Sequence, residues 1–228
     1  MCGIAGIYSA AGRPVDLHLL EAMTQVLAHR GPDGEGYVLM ALGGKEKPVP
    51  ARGRLTHSMA SGSNRYSIGF GHRRLAIVDL TPLGHQPMAS ENDRIWITYN
   101  GEIYNYRELR HELKQRGYQF RSGTDTEVIL QAYLEWGDEC LSHLNGMFAF
   151  ALWDAREDRL FCARDRFGIK PFYYRFDGER LLFASEIKSL LQDASYRPSP
   201  EQQAVYDYLV YAVQDHTDRT FFSGIKQL

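Results

Sequence analysis

A chain of 228 residues, 44% hydrophobic and 12% aromatic, can bury about 70% of the surface its unfolded form exposes, as one large domain with at most a short extension. Its formal charge is -2, with 26 basic and 28 acidic residues spread along the chain. It therefore offers no basic face to a nucleic acid or an anionic membrane, and a small, weakly charged substrate suits it better.

No apolar run approaches the roughly 18 residues of a membrane helix, and the first residues lack a basic segment ahead of a long apolar one, so the expected location is the cytoplasm. Cys2, Cys140 and Cys162 form neither a CxxC pair nor an even disulfide set, which fits a reducing compartment and argues against zinc and disulfide frameworks.

In chain order, Gly3 to Tyr8 reads as a short buried strand. Leu17, Leu20, Met23 and Leu27 recur at helical steps, and the helix gives way to a turn-rich loop from His29 to Gly34. Gly43 to Asn64 is rich in Gly, Pro, Ser and Lys without sustained periodicity and reads as an exposed insertion. Strands are expected at Tyr66 to Phe70, Leu75 to Val78 and Arg94 to Tyr99, the last ending at the turn pair Asn100-Gly101.

Asn105 with Glu108, and Thr124 with Glu127, match the spacing of capping boxes that open two helices. Asp125 then falls in a first helical turn. Strands follow at Met147 to Asp154, Arg159 to Ala163, Phe172 to Phe176 and Arg180 to Ala184, so a second sheet is expected. Ser199-Pro200-Glu201-Gln202 opens a helix through about Val213. Phe221 to Leu228 reads as a strand entering something further.

Position two carries the most chemical information. Removal of Met1 would place the Cys2 thiol beside a free α-amine with a pKa of about 7.7–8.0, so one residue supplies nucleophile and base. The amine can accept the thiol proton and return it to a leaving group, with no histidine or aspartate partner required. Read alone, Cys2 could equally be a small buried apolar residue, and Asn100-Gly101 only a turn. His29, His72 and His85 match no ligand spacing, and no metal is expected. Cys140 and Cys162 read as packed thiols, and the charged helix around Arg107 to Arg116 as a solvated face.

The ordered set Cys2-Gly3-Ile4-Ala5-Gly6, His29-Arg30-Gly31-Pro32-Asp33, Gly71-His72-Arg73-Arg74-Leu75, Asn100-Gly101-Glu102-Ile103-Tyr104-Asn105 and Ser122-Gly123-Thr124-Asp125-Thr126-Glu127 resembles the class II glutamine amidotransferases. These are N-terminal-nucleophile hydrolases. Leu144 to Ala151, Arg164 to Tyr174 and Phe183 to Lys188 narrow the resemblance to the glutaminase domain of glutamine-dependent asparagine synthetases. Together the segments cover nearly the whole chain.

The resemblance implies an α+β fold, a four-layer αββα sandwich of two antiparallel sheets, and hydrolysis of glutamine through a Cys2 thioester. It implies that Arg74, rather than its neighbour Arg73, binds the α-carboxylate, that Asn100 and Gly101 form the oxyanion hole, and that Asp125 and Glu102 hold the α-ammonium. Leu75, Ala76, Ile77 and Val78 would border the glutamine pocket. No cofactor is expected here. ATP and Mg2+ would serve only a C-terminal synthetase domain whose pyrophosphate loop is absent from these residues. The expected division is a glutaminase domain at 1–213 and the start of a connection to that domain at 214–228. Two alternatives stay open: a glutaminase domain serving another ammonia acceptor, and a non-catalytic interaction domain.

Overall fold

The computed structural model describes residues 1–44, 46–55 and 65–228. Two antiparallel sheets lie face to face with helices on both outer surfaces, the four-layer arrangement expected. Sheet A runs β11-β9-β10-β1-β4-β2-β3 and sheet B runs β5-β6-β7-β8. The strands of sheet A are β1 (Gly3–Ser9), β2 (Gly34–Met40), β3 (Val49–Arg52), β4 (Ile68–Arg74), β9 (Tyr173–Phe176), β10 (Arg180–Ala184) and β11 (Lys226–Gln227). Those of sheet B are β5 (Met88–Ala89), β6 (Ile95–Ile103), β7 (Gly146–Asp154) and β8 (Arg159–Arg164).

Strand side chains alternate between faces, and here both faces are covered. On β7, Ala149, Ala151 and Trp153 enter the layer between the sheets, while Phe148, Phe150 and Leu152 pack against the helices outside sheet B. On β2, Val38 and Met40 point into the sandwich and Tyr37 and Leu39 point outward, where α1 (Leu17–Gln25) closes the far surface of sheet A. This double burial explains why these strands read as apolar runs rather than alternating ones. The outer layer of sheet B is built from α2 (Tyr106–Gln115), α3 (Asp125–Trp136) and α4 (Cys140–His143).

Several sequence expectations need correction. Leu75 to Val78 is loop, with Ile77 69% exposed, because the β4 ladder ends at Arg74. Asn100-Gly101 is no turn: both residues continue β6, paired with Ala149 and Phe148. The expected second sheet is present as sheet B, to which the second half gives β7 and β8, while β10 pairs with β1 and β9 with β10 in sheet A. The segment from Gly43 is not wholly an insertion, as Val49–Arg52 pairs with β2 as an edge strand, while residues 45 and 56–64 lie outside the described residues.

Capping also differs from the boxes expected. Thr124 does accept from the Glu127 amide at 3.2 Å, but the Glu127 carboxylate reaches past it to the amides of Arg121 and Ser122. Asn105 caps nothing with its side chain, which instead donates to the His143 carbonyl and accepts from the Asn145 amide, tying α2 to the start of β7. The late helix α5 (Gln202–Tyr211) begins after Glu201 without a side-chain cap, because Pro200 is bridged to Phe222 and the Ser199 carbonyl accepts from the Ser223 amide. Of Phe221 to Leu228 only Lys226–Gln227 is strand, added to the edge of sheet A beside β9.

Candidate active site

The register of β1 against β4 puts Gly3 opposite Arg73, so Cys2, one residue before the strand, meets the chain just as it leaves β4. There the Leu75 amide donates to Cys2 Sγ at 3.3 Å, and the thiol faces the Leu75 carbonyl at 3.6 Å. Burial raises the Cys2 thiol above its ordinary pKa, against lowering by the Leu75 hydrogen bond, the nearby terminal amine and Arg74. The resting group is thus a neutral thiol whose proton must go to a base.

The loop holding Leu75 is itself braced by the His29 to Asp33 motif. Asp33 Oδ2 accepts from the Ala76 amide at 2.8 Å, and the Asp33 amide donates to the Arg74 carbonyl. Gly31 packs directly on the Arg73 backbone, at a spot where a Cβ would lie 2.4 Å from the Arg73 carbonyl. Arg30 Nε donates to the Cys2 carbonyl at 2.9 Å, and Arg30 Nη1 donates to Glu186 Oε1 at 2.9 Å. Burial disfavours the Glu186 carboxylate, but Arg30, Lys188 and His29 together hold it down to about 2. His29 is therefore a hydrogen-bond partner of Glu186, at 2.8 Å from Oε1. His72, fully buried and pushed down to about 3 by burial, contacts the Tyr99 carbonyl between the sheets, and His85 is pushed down to about 4 by burial and then by Arg52 and Arg74.

Across the sandwich, β6 contributes Asn100 and Gly101. Asn100 shares the inward face of Trp96 and Thr98 and is 1% exposed, yet its Nδ2 has no hydrogen-bond partner among the described residues. A buried donor without an acceptor is costly and unusual, and this one lines the same cavity as Cys2. Gly101 fits because its neighbours leave no room for a side chain: a Cβ would sit 2.4 Å from the Met147 carbonyl oxygen.

That cavity, about 160 Å³, is lined by Cys2, Arg74, Leu75, Ala76, Ile77, Val78, Asn100, Gly101, Glu102 and Asp125, every site residue the sequence nominates. A larger one, about 420 Å³, is bounded by Arg52, Leu83, Trp96 and Arg121 and shares no lining residue with it. Strand alternation separates the two candidate arginines. Arg73 turns away to pair with Glu35 on β2, whereas Arg74 turns into the cavity, held by the carbonyls of Asp79 and Thr81. The Asp79 carboxylate accepts from the Thr81 and Gly123 amides at 2.8 Å each, locking this loop to the start of α3.

Asp125, 5% exposed, accepts from the Tyr99 hydroxyl at 2.7 Å and the Ile103 amide at 3.0 Å. Burial nevertheless raises its pKa, outweighing these hydrogen bonds and the helix start. A carboxylate at the wall of a polar cavity, short of positive charge, is suited to a cationic group on a ligand. Asp79, Gln86, Tyr99, Thr124, Met147 and Lys170 also line the cavity. The sequence assigned none of these a role in the pocket, Thr124 being read only as a helix cap. Lys170, like Arg30, stands inside a quoted motif, but nothing in its local pattern marks it as pocket-facing. Cys140 and Cys162 lie elsewhere, their thiols pushed up to about 12, by burial for Cys162 and by burial with Asp138 and Glu139 for Cys140. Among the described residues no helix is long and apolar enough to cross a membrane.

Comparison with known proteins matches residues 50–228 to the glutamine amidotransferase domain family. The chain is 37% identical over 236 residues to asparagine synthetase [glutamine-hydrolyzing] 3 of Bacillus subtilis, covering 100% of this chain and 33% of that protein. It is 40% identical over 205 residues to putative asparagine synthetase [glutamine-hydrolyzing] 2 of Methanocaldococcus jannaschii, covering 84% and 35%. The chain therefore spans about a third of the length of these relatives. Among solved structures, the glutamine phosphoribosylpyrophosphate amidotransferase of B. subtilis superposes with a TM-score of 0.66 at 24% identity, covering 83% of this chain and 43% of that one, which establishes the shared fold.

Proposed function

The chain belongs to the glutamine amidotransferase domain family, and from that premise we propose that it hydrolyses glutamine to glutamate and ammonia through a thioester on Cys2. The observation that carries this reading is the buried Asn100 Nδ2, unpartnered among the described residues, in the wall of the cavity that holds the Cys2 thiol. A donor kept without an acceptor in the resting protein suits an oxygen that becomes negative only during reaction.

In this reading Met1 is removed and the new α-amine takes the thiol proton. The sulfur attacks the side-chain amide carbon of glutamine. The carbonyl oxygen becomes an oxyanion held by Asn100 Nδ2 and the Gly101 amide. Collapse breaks the C–N bond, the α-ammonium returns its proton to the departing nitrogen, and ammonia leaves a γ-glutamyl thioester. Water, deprotonated by the same amine, then releases glutamate and regenerates the thiol. Arg74 holds the substrate α-carboxylate, and Asp125 with Glu102 holds its α-ammonium.

The relatives are about three times as long as this chain and are asparagine synthetases by name. We extend the proposal accordingly: the ammonia passes to aspartate, activated with ATP and Mg2+ on a further domain following 214–228, in the cytoplasm. Acid quenching of the processed chain with glutamine, followed by intact mass measurement, tests the first step. A glutamyl adduct confined to Cys2 is expected; no adduct, or one that survives Cys2→Ala, would overturn it.

A further inference from the structure

Lys170 is 5% exposed, a degree of burial lysine rarely reaches without a partner. Its ammonium has a single hydrogen-bond partner among the described residues, and that is a sulfur, Met1 Sδ at 3.1 Å. The lysine ion pairs among the described residues belong to Lys188 and Lys226 instead. The backbone beneath it is firmly set. Asp165 accepts from the amides of Phe148, Phe167, Ile169 and Lys170, and Arg164 donates to the carbonyls of Gly168 and Lys170. A segment this tightly held presents a buried cation to the cavity lined by Met1 and Cys2.

The partner of that cation is the residue whose loss the proposed chemistry requires. Lys170 Nζ stands 3.1 Å from Met1 Sδ, and covalent geometry keeps that sulfur within about 6 Å of the Cys2 nitrogen, so the ammonium lies within about 9 Å of the α-amine exposed once Met1 is gone. Two like charges in a partly dry site disfavour each other, and the group with the lower intrinsic pKa gives up its proton. The terminal amine is that group. Of the other charges around the site, Arg30 is a second cation at Cys2, donating to its carbonyl at 2.9 Å while paired with Glu186, and it is common to every Lys170 variant. Arg74 is held on the carbonyls of the 79–81 loop, Asp125 by Tyr99 and Ile103, and Asp165 by its four amides; Glu102, on the rim, is exposed.

We propose that Lys170 is a positioning residue of the site: in the processed chain its buried ammonium, within about 9 Å of the Cys2 α-amine, keeps that amine unprotonated, ready to take the thiol proton. The inference rests on the glutaminase reading for its purpose, but the electrostatic claim can be tested without activity.

The test uses chains whose N-terminus at position two is generated by cutting a leader and checked by intact mass, each carrying Cys2→Ala so that no thiol competes. The α-amine is titrated through the pH dependence of its acylation by acetic anhydride, read on the N-terminal peptide by mass spectrometry. Lys170→Gln and Lys170→Met should each raise the pKa of the amine by about 0.5–1 unit, while Lys170→Arg should leave it in place. An amine titrating identically with Lys, Gln and Met at position 170 would overturn the proposal. In chains retaining Cys2, the acid limb of kcat/KM should move up by the same interval in Lys170→Gln and be restored in Lys170→Arg. Absence of glutaminase activity in the parent chain would count against the proposed function alone, since the amine titration still decides the role of Lys170.

Discussion

Cys2 and Leu75 exchange contacts in both directions, the Leu75 amide pointing at Sγ from 3.3 Å and the thiol at the Leu75 carbonyl. This fixes the sulfur at the junction of β1 and β4 while leaving it protonated at rest, because burial raises the thiol. The rate should therefore follow the base. For processed protein kcat/KM is expected to rise with pH and level off above the pKa of the α-amine, about 7.7–8.0 or below. Alkylation of Cys2 by iodoacetamide should track the same curve and be slower in chains retaining Met1. A profile rising only near the ordinary thiol range would show that the amine is not the base.

Asn100→Ala should lower kcat by about 10²–10³-fold with little change in KM if, as proposed, its Nδ2, unpartnered among the described residues, holds the reacting oxygen. Because the substitution also removes a buried orphan donor, no large fall in Tm is expected. Steady-state kinetics and a melting curve on the same preparation check both halves.

Gly101→Ala should behave differently from its neighbour. A Cβ there meets the Met147 carbonyl, Phe148 Cα and the Tyr99 ring, all closer than 3.0 Å, so the cost appears in folding as well as rate. Its Tm should drop by several degrees, on the order of 1–3 kcal/mol of overpacking. A variant melting with the parent would mean that the β6–β7 ladder is looser than described.

The amide variant Asp125→Asn separates binding from stability. Burial raises the Asp125 pKa, so its ionisation disfavours the fold, and that penalty grows as pH rises through the carboxylate range. The amide can still accept from Tyr99 and Ile103. Its Tm should equal or exceed that of the parent at pH 7, and the advantage should fade toward pH 4. Glutamine binding, read by calorimetry, should weaken at least 10-fold, roughly the worth of a charge-assisted hydrogen bond.

Arg74→Lys should raise KM for glutamine roughly 10- to 100-fold with kcat nearly unchanged, because an ammonium cannot reproduce two parallel hydrogen bonds to a carboxylate. Arg73→Lys should leave KM in place, since that side chain pairs with Glu35 on the neighbouring strand. An equal effect at both positions would contradict the assignment.

Much of this architecture was legible in the sequence because several signals agreed. The helical stripe of Leu20 and Met23 and the strand of Gly3 to Tyr8 carry their periods openly, and the nominated site residues do line one cavity. What the sequence hid were tertiary choices. Asn100-Gly101 has the composition of a turn but is overridden by pairing with β7. Val49 to Arg52 follows Pro48 and carries Pro50, which an edge strand tolerates. The side chain of Asn105 looks like a cap, yet finds better partners 38 and 40 residues away. Lys170 lines a cavity assembled from distant segments and Arg30 reaches the Cys2 carbonyl across 28 residues, so no local pattern announces either.

The central claim is tested most directly by measuring glutamate and ammonia released from glutamine by processed chain, with its N-terminal mass determined, beside Cys2→Ala and chain retaining Met1. Equal amounts of the two products from the processed chain, and none from either comparison protein, are predicted. Release that persists in Cys2→Ala, or that is unaffected by retained Met1, would contradict a mechanism built on the Cys2 thiol and its own α-amine.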